Sequence, residues 1–260
     1  MSAEKNLAPG SEREERLKKL EALKAAGINP YPAKSQRNYS IAQIFSDMEK
    51  LEANQTKVII AGRLREVRGH GNLTFAHLED ASGRIQLAFS QKELGHESYK
   101  RLVKLIDSGD FLETAGTIFV THSGEKSLMV SDWKVLSKAI APIPNAWYGL
   151  KDEDERYRHR YLDILLNPEI KDIFYKKAKF WEVTRDFMKR HGFLEVETPT
   201  LETTTGGAEA NPFRTHHDDF DLDVFLRISV GELWQKRLMA AGFEKVFEIG
   251  RVYRNEGSSP

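Results

Sequence analysis

The feature that most constrains this chain begins at Lys57, where the apolar spacing changes to the period of two that belongs to strands. Val58, Ile59 and Ile60 open a strand expected to run to about Val67. Gly69-His70-Gly71 makes a turn, Asn72 to Leu78 a second strand, Ala81-Ser82-Gly83 another turn, and Arg84 to Ser90 a third strand. In that third strand Ile85, Leu87 and Phe89 share one face while Gln86, Ala88 and Ser90 share the other. A helix from about Ser98 to Ile106 interrupts the series. Strands follow at about Asp110 to Thr121 and Ser127 to Leu136. Five strands with a helix between the third and fourth point to a small closed barrel, because closure removes the unpaired edges.

A barrel of this pattern is of the OB type, whose outer face binds oligonucleotides. The same pattern also suits a β-domain that merely supports or connects. Before it, residues 11–26 read as an amphipathic helix. Ser11 and Glu14 form a capping box, Leu17, Leu20 and Leu23 make the apolar stripe, and Gly27 stops the helix. A second short helix is expected from about Ile41 to Leu51. After the barrel, Pro142 and Pro144 mark a linker, and Lys151 to Tyr161 reads as a solvated helical face. A long helix follows from Asp172 to Arg190, ended by Gly192. Strands are expected at Phe193 to Thr198, Leu222 to Ile228 and Glu244 to Tyr253, a loop at Leu201 to Asn211, and a helix at Glu232 to Ala241.

Composition closes several routes. The chain has 260 residues and no cysteine, which excludes disulfides, thiolate metal sites and a thiol nucleophile. Lys+Arg and Asp+Glu both number 39, so any nucleic-acid contact must come from a local patch. No apolar run is long enough for a membrane span, and the N-terminus lacks the apolar core of a secretory signal, so a cytoplasmic protein is expected. There is no phosphate-loop motif, the glycine series from Gly69 fails at Thr74, and adjacent His216 and His217 point apart on a strand.

What remains for chemistry lies late in the chain. Strand parity over 243–257 puts Glu248 and Arg254 on the face of Val246 and Val252. Arg254 at a strand end suits a phosphate, through the planar fork of its guanidinium, or it forms a surface ion pair with Glu256. Gly206-Gly207 allows backbone to approach a small ligand. Glu232 opens a helix, where an acid is comfortable by itself and can also hold an ammonium group.

Six segments in order carry a resemblance. They are RLKKLEALKAAGINPYP, AGRLREVRGHGNLTFAHLEDASGRIQLAFS, GLKDEDERYRHRYLDILLNP, GFLEVETPTL, TGGAEANPFRTHH with LDVFLRIS, and FEIGRVYRNEG. In them the chain resembles the class II lysyl-tRNA synthetases. GFLEVETPTL matches motif 1, the dimer element, and FEIGRVYRNEG matches motif 2. The resemblance implies an α+β protein. Its parts would be an N-terminal helical extension (1–52), an OB-fold anticodon-binding domain (53–140), a linker (141–156) and the N-terminal part of an antiparallel class II catalytic domain (157–260). It implies activation of L-lysine by ATP and transfer of the lysyl group to the 3′ end of tRNA(Lys), with Mg²⁺ and a homodimer. Arg254 would bind the ATP α-phosphate and Glu256 the adenine side, while Gly207 and Glu232 would hold the substrate amino group. In the barrel, Phe75 would stack on an anticodon base, with Arg68, Gln86 and Glu125 contacting the others. Physical reading agrees for Gln86, whose parity points it outward, and leaves Phe75 open between base stacking and barrel core, since Leu73 shares its parity.

The family's glycine-rich motif 3 and its acidic metal ligands are absent from these residues, so no metal site is expected here and a piece of a longer chain is. The alternatives are a truncated relative that binds tRNA without catalysis, and a synthetase specific for aspartate or asparagine.

Overall fold

The computed structural model describes residues 11–143, 150 and 152–257, so parts of the expected segments 1–52 and 141–156 lie outside the described residues. The side chains of His70 and Glu232 lie outside them too. The chain divides into two compact units, Met1–Arg158 and His159–Pro260.

The first unit opens with α1 (Glu12–Ala25). The Ser11 hydroxyl accepts the Glu14 amide at 3.3 Å, and Gly27 leaves the helix at φ +73°. The leucine stripe is only partly right: Leu20 and Leu23 are buried, Leu17 is not, and Arg16 lies inside at 5% exposure. Its guanidinium tolerates burial because Nη1 donates to the carbonyls of Ser108 and Ala139 while Nε and Nη2 hold Glu12. The single helix expected near Ile41 is two, α2 (Ile41–Ser46) and α3 (Met48–Ala53), broken at Asp47. Ser40 and Gln43 cap α2 reciprocally.

The strands β1 (Val58–His70), β2 (Leu73–Glu79), β3 (Arg84–Ser90), β4 (Phe111–Val120) and β5 (Lys126–Ser137) close into a barrel in the order β1-β2-β3-β5-β4. Only β3 and β5 pair in parallel. Between β3 and β4 stand α4 (Gln91–Leu94) and α5 (His96–Leu105). Leu64, Leu78, Ile85, Leu87, Phe89, Leu112, Ile118 and Leu128 fill the interior. Burying each contributes roughly 1.5–3 kcal/mol before entropy is set against it. Gly116 is required where β4 crosses β5: a Cβ there would stand 1.9 Å from the Met129 carbonyl oxygen. The short α6 (Glu153–Arg158) buries nothing, as a solvated face should.

The second unit contains α7 (Arg160–Leu166), α8 (Lys171–Arg190) and α9 (Glu232–Ala240). It also contains β6 (Leu194–Glu195), β7 (Leu201–Glu202), β8 (Arg214–His217), β9 (Leu222–Leu226) and β10 (Val246–Phe247). An antiparallel sheet runs β7-β9-β8, and β6 pairs with β10 in parallel. Three expectations need correction. Strand pairing at 193–198 and at 244–253 shrinks to two residues each, and β7 lies inside the stretch expected as loop. The reason at 248–254 is local: backbone groups there bond the Arg227 side chain and backbone, so no ladder forms. On α8, Ile173, Phe174, Phe180, Val183 and Phe187 are half exposed or more. Among the described residues no helix is long and apolar enough to cross a membrane.

Candidate functional site

On the barrel, the β1–β2 register sets Arg68 opposite Phe75, and the β2–β3 register sets His77 opposite Gln86. Residues directly opposite in an antiparallel pair share a face. Thr74, Ala76 and Leu78 point inward, so Phe75 and His77 point outward. The structure therefore decides against Phe75 as barrel core. Gln86 also faces out, donating from Nε2 to Ser127 Oγ at 2.9 Å; among the described residues its carbonyl oxygen has no partner.

Glu125 reaches the same face from the turn before β5, with its amide donated to Thr121 Oγ1 at 2.9 Å. Its Oε1 lies 3.2 Å from His77 Nε2. Glu66 sits where the β1–β2 register slips, and that bulge turns its carboxylate over the face. It pairs with Arg84 at 3.1 Å and Arg68 at 3.0 Å. The Arg84 hydrogen bond, more than any other contact, holds the Glu66 carboxyl below its usual range. Arg68, Phe75, Gln86 and Glu125, far apart in sequence, are thus gathered on one outer surface. His77 was missed by sequence reasoning, although the alternation of Leu73 to Glu79 places it beside Phe75.

In the second unit three segments are laced together by hydrogen bonds. Ser229 Oγ donates to the Gly206 carbonyl at 3.2 Å, Arg254 Nε donates to the Ile228 carbonyl at 3.3 Å, and the Asn255 amide donates to the Asn211 carbonyl at 2.7 Å. The glycine loop carrying Gly207, the approach to Glu232 and the stretch carrying Arg254 therefore converge. Gly207 has φ +89°, a conformation glycine adopts without strain, and is exposed. Glu232 is the first residue of α9, behind Gly231 at φ +94°.

Arg254 is exposed, and among the described residues only the Ile228 carbonyl holds it, through Nε; its terminal nitrogens are free. The surface ion pair with Glu256 does not form, and Glu256 is exposed too. The parity argument for Arg254 fails, since the chain is not a strand there, and Glu248 turns inward instead.

That inward turn builds a brace. Arg227 Nη1 donates to Glu248 Oε1 at 2.7 Å and to Thr198 Oγ1 at 3.0 Å, while Nε donates to the Arg251 carbonyl at 2.8 Å. The side chains of Arg227 and Glu248 are 6% and 3% exposed. A Cβ at Gly250 would stand 2.3 Å from Arg227 Nη2, so a side chain there would force the brace to shift. The brace fixes 248–253 and hence the base of Arg254. A cleft of about 860 Å³ opens beside it, lined by Glu195, Glu197, Arg227, Glu248 and Tyr253 among others, but not by Gly207 or Arg254. Among the described residues no three His, Asp or Glu side chains gather as a dedicated all-protein metal cage would need.

Two family descriptions match the chain. "tRNA synthetases class II (D, K and N)" covers residues 152–260, and "OB-fold nucleic acid binding domain" covers residues 58–136. The chain is 46% identical over 94% of its length to the lysine–tRNA ligase of Roseiflexus castenholzii, of which it covers 50%. It is 44% identical to that of Carboxydothermus hydrogenoformans and 45% identical to that of Moorella thermoacetica, over 94% of its own length and 49% of each relative. The chain spans about half the length of the curated relatives it matches.

Proposed function

The chain belongs to the class II lysine–tRNA ligase family, and on that premise we propose that the protein activates L-lysine with ATP and transfers it to tRNA(Lys). The observation that carries the proposal is the convergence of Gly207, Glu232 and Arg254 through three interlocked segments, in a chain that also matches an OB-fold nucleic acid binding domain.

The lysine carboxylate oxygen attacks the α-phosphorus of ATP, and the bond to the β-phosphate oxygen breaks, releasing pyrophosphate. A hydroxyl at the tRNA 3′ end then attacks the lysyl carbonyl, and AMP leaves. No protein nucleophile is needed. Arg254 offers its two free nitrogens to the α-phosphate and the lysine carboxylate, while Glu232 and the Gly207 backbone receive the α-amino group. Glu256 faces the adenine side. Mg²⁺, when bound, would shield the phosphates.

On the barrel, Phe75 stacks on an anticodon base, and Arg68, Gln86 and Glu125 contact the others. The exposed apolar residues of α8 suit a second copy of the chain, in keeping with the motif 1 resemblance. A cytoplasmic location follows from the substrates. Arg254→Ala in the full-length protein tests the pocket. Lysine-dependent pyrophosphate exchange should fall about 10²–10³-fold, as on removing one pre-aimed donor; an unchanged rate would remove Arg254 from its role.

A further inference from the structure

We propose that His77 is a positioning residue on the nucleic-acid face: it aims the Glu125 carboxylate at a base edge and makes RNA affinity depend on pH. The proposal rests on the reading of the barrel as an anticodon binder.

His77 stands between two carboxylates. Its Nε2 is 3.2 Å from Glu125 Oε1, and its Nδ1 is 3.7 Å from Glu66 Oε2. A neutral imidazole carries one N–H. With the hydrogen on Nε2, the ring donates to Glu125 and fixes that carboxylate, leaving the other oxygen to accept an N–H from a base edge. The Nδ1 lone pair then faces the Glu66 carboxylate, which is unfavourable. Protonation converts that contact into an attraction and adds a positive charge where a polyanion docks.

The other charged groups around the ring do not cancel this. Arg65 lies opposite His77 on β1 and pairs with Glu79 at 3.4 Å. Arg68 and Arg84 hold the Glu66 carboxylate from other directions. On β3 the facing residue is Gln86, which does not titrate. Glu125 makes no ion pair with a lysine or arginine among the described residues, so His77 is its orienting contact.

The test is binding of a fluorescent anticodon stem–loop of tRNA(Lys) to the protein between pH 8 and pH 5.5, at fixed salt. Wild-type affinity should tighten several-fold between pH 8 and pH 5.5. His77→Gln retains a donor for Glu125 but cannot titrate: it should bind as wild type does at pH 8 and show no tightening. His77→Ala should bind several-fold more weakly at pH 8, because Glu125 is left unaimed. Unaltered unfolding midpoints would confirm that both variants keep the barrel. A wild-type pH slope in His77→Gln, or wild-type affinity in His77→Ala at pH 8, would overturn the proposal. Failure of wild type to bind, or undiminished binding by Phe75→Ala, would sink the anticodon reading itself and this inference with it.

Discussion

Lys138, just past β5, has a side chain with no exposure at all. Its ammonium lies 2.5 Å from Asp107 Oδ2 and 2.8 Å from Asp110 Oδ2. Asp110 is equally buried and also takes the amides of Asp107 at 2.7 Å and Ala139 at 2.8 Å. Asp107 takes Lys19 of α1 at 2.5 Å, and Tyr31 Oη donates to the Lys138 carbonyl at 3.1 Å. The cluster therefore ties α1, the loop before β4 and the exit from β5. Lys138→Met keeps the aliphatic stem and removes the charge, leaving Asp110 as an unpaired anion in the interior. Breaking a buried pair in this way costs about 3–5 kcal/mol. At about 2–4 °C per kcal/mol for a unit of this size, the midpoint of thermal unfolding should drop by about 6–20 °C.

The assay is circular dichroism through the barrel's transition at pH 7. A drop under about 2 °C would refute the reasoning. The pH dependence has a definite sign. Burial raises the Asp107 pKa, but the hydrogen bonds from Lys138 and Lys19 outweigh it and the carboxyl is held below its ordinary range. A depressed folded pKa contributes stability that is present above the unfolded value of about 3.9 and lost as pH falls through the folded one. The stability gap between wild type and Asp107→Asn should hold down to about pH 5 and close below about 3.9. A gap that closed as pH rose would contradict this.

Three more predictions follow from the barrel. Phe75→Ala should weaken anticodon stem–loop binding by about 1–3 kcal/mol, or about 5–150-fold, in a titration at constant salt; an unaltered Kd would take the ring out of the interface. Wild-type affinity should also fall as salt rises, because each lysine or arginine contact to a phosphate releases bound counterions; a flat salt profile would contradict that. Gly116→Ala should destabilise the barrel by at least about 1–3 kcal/mol in denaturant unfolding, because its Cβ overlaps the Met129 carbonyl; wild-type stability would mean that β4 and β5 can part there at little cost.

The barrel was legible because its strands obey a period of two against a single core, and Arg84 to Ser90 is observed with the expected ends. Helix ends were legible from Ser11, Gly27 and Gly192, whose cap chemistry is local. Arg16 was not, because its burial depends on carbonyls at Ser108 and Ala139, remote in sequence. The stretch from Glu244 to Tyr253 reads as a strand by propensity, but Arg227 takes over its hydrogen bonding. For the candidate site, the residue types were legible from motif resemblance and their gathering was not. Registers β1–β2 and β2–β3 bring Arg68, Phe75 and Gln86 together, and no spacing rule predicts that Glu125 folds back onto His77.

These residues are proposed to belong to a protein that activates lysine. Pyrophosphate exchange by the full-length protein, with lysine, aspartate and asparagine supplied in separate reactions, tests it most directly. Exchange is expected with lysine and none above background with the other two. Exchange driven by aspartate or asparagine instead, or by no amino acid at all, would contradict it.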